Sequence, residues 1–369
     1  MDGIFITELQ PAEGTRLAVK DLFDTAGVRT TYGSAVFAEH VPDRSAEALL
    51  RLERAGYANV GKTNLHEFAY GVTSQNLHYG TVPNPAAPGR TSGGSSGGSA
   101  AALVLGLADA ALGTDSGGSI RIPAACCAIV GFKPSYGLVP IDGVFPLAPS
   151  YDHVGPMARD VAGCIDLMRV LAPDLPPPGD ASLAEIRAGI AWCELADPLV
   201  RARVEAACAL FARGRRIEFP FPEGTTPVFM REIADVHRDL YAEYGELYGD
   251  NVRPKIERCL AVTDAEAAAG AVARVEYERL ALSALDGIDV LLTPTLAFVP
   301  PAADVDELAI REQMVRFTYP FNALGWPAIA LPCGTAQDGL PASLQIVGRP
   351  GDDALVLAVA RQLEAALKT

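Results

Sequence analysis

Ser95 and Ser119 are the residues best placed to do chemistry. Both lie in one stretch, Thr91 to Pro123 (TSGGSSGGSAAALVLGLADAALGTDSGGSIRIP), where two glycine-serine clusters flank an alanine-rich apolar run. The glycines around each serine open backbone conformations closed to other residues, and such loops present N–H groups to an anion. A Gly/Ser linker would not lead into AAALVLGLADAALG, whose composition asks for burial as a helix followed by a short strand.

Two familiar motifs fail on their context. Gly93 to Gly97 fits the G-x-S-x-G nucleophile elbow, but that turn needs a strand before it and a histidine well after it. The preceding residues, Asn84-Pro85-Ala86-Ala87-Pro88-Gly89-Arg90, read as a loop, and the last histidine is His237. No lysine follows either glycine cluster as a phosphate loop requires, which argues against nucleotide binding.

GGSSGGSAAAL followed by ALGTDSGGSIRIPAA resembles the core of the amidase signature family, whose members hydrolyse amides with a Ser–Ser–Lys triad. The resemblance implies a lysine upstream in an A-V-K-D setting, and Ala18-Val19-Lys20-Asp21 supplies it at the family's spacing. It extends through Asn64 to Tyr70 (K-T-N-x-x-E-F in the family), the V-G-x-K-P segment around Lys133, and Tyr151 to Met157. It is strong over 14–160, absent from about 175 to 287, and moderate over 288–365.

The roles implied are specific. Ser119 is the nucleophile, and Ser116, Gly117 and Gly118 supply oxyanion donors or substrate contacts. Ser95, on a cis peptide after Gly94, relays the proton to Lys20, which must be neutral. Burial at the end of the apolar strand would lower its pKa. Asp115 and Arg121 brace the loop of Ser119. Ser92, Ser96 and Ser99 are expected to cap the following helix. Lys62, His66 and Glu67 read as structural. No metal and no organic cofactor is expected.

With 45 acidic against 30 basic residues the formal charge is −15, which leaves no basic footprint for nucleic acid or an anionic membrane. Seven cysteines without C-x-x-C spacing indicate neither a disulfide framework nor a zinc site. MDGIFITELQPAEG lacks the basic start and apolar core of a signal peptide, and the protein is expected in the cytoplasm. Members of the resembled family usually carry a helical segment before the lysine strand, and here that strand is expected almost at the start. An apolar surface left bare there would serve a homo-oligomer.

These features imply one α/β domain over 1–369, a mixed β-sheet core covered by helices on both faces. Residues 16–20 and 57–61 read as strands, 44–55 as a helix capped by Asp43, and AACCAIVGFK as a strand-like run. The expected partner is a small-molecule amide, neutral and aliphatic or aryl, because Ile122 stands where relatives that bind a carboxylate carry arginine. An amidotransferase component delivering ammonia to a partner, or a non-catalytic relative, is the alternative.

Overall fold

The computed structural model describes residues 3–10 and 13–368. Eleven strands form one sheet: β1 Phe5–Glu8, β2 Thr15–Lys20, β3 Tyr57–Thr63, β4 Ala110–Asp115, β5 Val130–Lys133, β6 His153–Ala158, β7 Ala188–Ile190, β8 Arg215–Arg216, β9 Val290–Pro294, β10 Ala328–Thr335 and β11 Pro341–Val347. Their spatial order is β1-β3-β2-β4-β6-β5-β10-β11-β9-β7-β8. β3, β2 and β4 run parallel, as do β9, β7 and β8; the remaining pairs are antiparallel, so the sheet is mixed.

The helices are α1 Glu47–Arg54, α2 Gly97–Val104, α3 Arg121–Cys126, α4 Val161–Leu171, α5 Pro198–Cys208, α6 Thr226–Tyr244, α7 Arg253–Leu260, α8 Asp264–Ala284, α9 Glu307–Val315, α10 Tyr319–Ala323 and α11 Asp353–Leu367. They cover both faces, and the period-two alternation of the strands sorts them. Leu17 and Val19 pack in one core with residues of α1, α4, α5 and α11. Ala18 faces the other way, into a core built on α2 and on Ala124 of α3. Farther along the sheet, Leu291 and Val347 join residues of α6, α7 and α8 in a third cluster. Lys20 follows Ala18 by two positions and therefore emerges on the face of α2.

Two local expectations are corrected. α1 starts at Glu47 with Ala46 before it, and Asp43 caps nothing; the helix start is held instead by Ala46 N–H on the Asp24 carbonyl and Glu47 N–H on the Asp142 carbonyl. Of the AACCAIVGFK run only Val130–Lys133 is strand, because Arg121–Cys126 turns as a helix buried on every side. A short apolar run carries no periodicity that tells buried helix from buried strand. No helix among the described residues is long and apolar enough to cross a membrane.

Candidate active site

The parallel strands β2 and β4 end side by side, and chemistry gathers beyond their carboxyl ends, where open α/β sheets leave a crevice. Lys20 closes β2. Its ammonium donates to Ser95 Oγ and to Thr114 Oγ1, each at 2.7 Å. Ser95 sits in the loop entering α2, after the only cis peptide bond among the described residues, Gly94–Ser95. Ser119 sits in the loop between β4 and α3, and the two loops are tied by Ser96 N–H on the Ser119 carbonyl at 3.2 Å.

Lys20 and Ser95 are wholly buried, whereas Ser119 keeps 8% of its surface. The Ser119 hydroxyl makes no hydrogen bond among the described residues and is the one of the pair that a substrate can reach. Burial removes water from the Lys20 ammonium and lowers its pKa to about 7, against the opposing pull of Asp115 and Asp152. A lysine so placed is largely neutral just above neutral pH.

The loop of Ser119 is braced by the buried Asp115–Arg121 pair. Arg121 Nε and Nη2 reach the two Asp115 oxygens at 3.0 and 2.9 Å. The same carboxylate accepts from the amides of Gly118 and Ile120. The other guanidinium edges go to Gln345, Asn322 and the Thr318 carbonyl. Burial alone would raise the Asp115 carboxyl, but Arg121 outweighs it and holds the group well below the usual carboxylate range. Arg121→Leu is expected to cost about 3–5 kcal/mol of stability, because it strands a buried carboxylate; urea unfolding measures it.

Of the amides expected to serve as oxyanion donors, one is already committed. Gly118 N–H already donates to Asp115 at 2.8 Å and is not a spare donor. The residue must be glycine for another reason: its φ is +132°, and a Cβ there would lie 2.2 Å from Thr318 Oγ1. The amides of Ser116, Gly117 and Ser119 donate to no acceptor among the described residues. Ser116 Oγ is held by Asp152 at 2.5 Å, and Asp152 also accepts from the amides of Leu147 and Ala148. Burial raises the Asp152 carboxyl to about 6.

The small serines differ from their expected use. Ser96 holds the N-cap position of α2, but none of the hydroxyls of Ser92, Ser96 and Ser99 makes a capping hydrogen bond; they donate to the carbonyls of Val82, Thr114 and Leu112 and so stitch the loop to the neighbouring backbone. Lys62 is buried against Asp21, the Phe23 carbonyl and Thr30. Glu67 binds Ser34, His78 and the Gly249 amide. His66 is buried with neither ring nitrogen bonded. Thr114, Asp152, Asn322 and Gln345 were not singled out from sequence. All four lie in segments that carry the resemblance, but a segment match assigns no contact. No group of three metal-binding side chains occurs among the described residues.

A model of the family described as Amidase matches residues 6–187 and 204–357. The chain belongs to the amidase family. Among its relatives, the A-type subunit of glutamyl-tRNA(Gln) amidotransferase from Haloarcula marismortui (strain ATCC 43049 / DSM 3752 / JCM 8966 / VKM B-1809) is 36% identical, with 92% of each chain covered. A crystal structure of an amidase superposes with a TM-score of 0.88 at 36% identity, covering 95% of this chain and 84% of the other. A 6-aminohexanoate cyclic dimer hydrolase, solved with substrate, gives 0.83 at 27%, covering 99% and 90%. This amidase-family chain thus keeps the family's sheet through both the serine-bearing half and the segment after α5.

Proposed function

We propose that this chain is a cytoplasmic amidase that hydrolyses a small carboxylic acid amide to carboxylate and ammonia or amine through a seryl acyl-enzyme. The observation that carries the reading is the 2.7 Å contact between a buried, readily neutral Lys20 and Ser95, on a loop tied to that of Ser119. Ser119 Oγ attacks the carbonyl carbon as its proton passes to Ser95 and that of Ser95 to Lys20. The oxyanion that forms is met by the free amides at Ser116, Gly117 and Ser119. The proton returns by the same route to the leaving nitrogen, the C–N bond breaks, and water repeats the sequence on the acyl-enzyme.

Ammonia release from a panel of simple amides tests this, and absence of any Ser119-dependent release overturns it. The likeness to amidotransferase components supports a second reading, in which the released ammonia serves a partner protein. Glutamine as the one productive amide would favour it.

A further inference from the structure

We infer that the substrate carries a carboxylate beside an apolar stretch, and that Arg311 and Arg316 receive it. This rests on the amidase reading and corrects the expectation of a neutral amide.

A pocket of about 360 Å³ ends on Gly117, two residues before Ser119, and its apolar wall is Phe221, Phe229, Val315 and Tyr319. Arg311, Glu312 and Arg316 line the same space. In a chain of net charge −15 most arginines have carboxylate or carbonyl partners, yet neither of these two side chains forms an ion pair or donates a hydrogen bond among the described residues. Both instead lie over aromatic rings. The Arg311 guanidinium lies 4.9 Å from the Tyr70 ring centre, and that of Arg316 lies 5.4 Å from Phe221 and 5.8 Å from Phe317. A ring face attracts the charge but gives the N–H edge, the part that matches a carboxylate, no oxygen to donate to.

Arg311 Nε is also buried without an acceptor. A buried donor left unpaired is costly, and a ligand oxygen would remove that cost. The nearby cation Lys255 is satisfied by Glu307 at 2.9 Å and is not available. Arg316 and Glu312 are both exposed and Arg311 is half-buried, and Glu312 pairs with neither arginine, so the pocket keeps a surplus of positive charge. The carboxylate can sit on the acyl side, as in a dicarboxylic acid monoamide, or on the amine side, as in an N-acyl amino acid.

Calorimetry on Ser119→Ala protein separates this from turnover. Each arm pairs an anionic amide with a neutral one of equal length: a six-carbon dicarboxylic monoamide against hexanamide, and N-butanoylglycine against N-propylbutanamide. In one arm the anionic member should bind at least about tenfold tighter, the scale of one charge-assisted hydrogen bond. Arg311→Gln combined with Arg316→Gln should erase that preference. Equal binding of both members in both arms, or a preference that survives the double substitution, overturns the inference. Hydrolysis of any amide by the unaltered protein speaks to the amidase reading alone.

Discussion

Ser119→Ala is expected to abolish acyl-enzyme formation and to lower amide turnover by a factor on the order of 10⁶, the loss seen when a serine hydrolase loses its nucleophile. Ser95→Ala should leave a slower enzyme, down by roughly 10²–10⁴, because only the proton relay is removed. The structure separates the two serines in this direction. Ser119 is the one with a reachable, uncommitted hydroxyl, whereas Ser95 is wholly buried and already holds the Lys20 ammonium. In Ser95→Ala the free amides of the Ser116–Ser119 loop and the brace of Asp115 by Arg121 remain in place. Mass spectrometry after a fluorophosphonate or an activated ester gives the readout. Labelling retained in Ser119→Ala and lost in Ser95→Ala would reverse the assignment.

The residues proposed as the triad are legible in the sequence by their types and their surroundings. Two serines among glycines and a lysine at the end of an apolar strand sit at loop and strand ends that the backbone pattern alone locates. The strands themselves were legible wherever apolar residues ran to a turn, as at Thr15–Lys20 and Tyr57–Thr63. What was not legible depended on contacts across the fold. Asp152 meets Ser116 from the residue just before β6, with α3 and β5 lying between them in the chain, and Asn322 and Gln345 reach Arg121 from more than 200 positions away. No local period encodes such pairs. The commitment of Gly118 N–H to Asp115 was hidden for a related reason: a glycine next to a catalytic serine reads as a donor, and only the position of the carboxylate shows that its hydrogen is taken. The serines at the start of α2 misled because a hydroxyl there usually caps, but here neighbouring backbone carbonyls lie close enough to accept its hydrogen bond instead.

Lys20→Arg is expected to be as inactive as Lys20→Ala. Guanidinium keeps the positive charge but cannot give up its proton at working pH, so it cannot receive one from Ser95. The pH dependence follows from the same geometry. Burial lowers the folded-state pKa of Lys20 to about 7 from an ordinary value of 10.5, so the neutral base is lost as pH falls through about 7. Turnover should drop roughly tenfold per pH unit below that point, and rescue of Lys20→Ala by an added small amine would restore part of it. Stability carries a second signature. Between pH about 7 and 10.5 the unfolded chain holds a proton on this lysine that the folded chain does not, so this group makes stability rise with pH across that window. Lys20→Met removes the titrating group and should flatten the rise, measured as urea midpoints at several pH values. A lysine serving only as a charge would behave otherwise: arginine would sustain activity, and the acidic limb would stay where it was. Near-normal turnover by Lys20→Arg would remove the lysine from the proton path and leave Ser95 without an acceptor for its hydrogen.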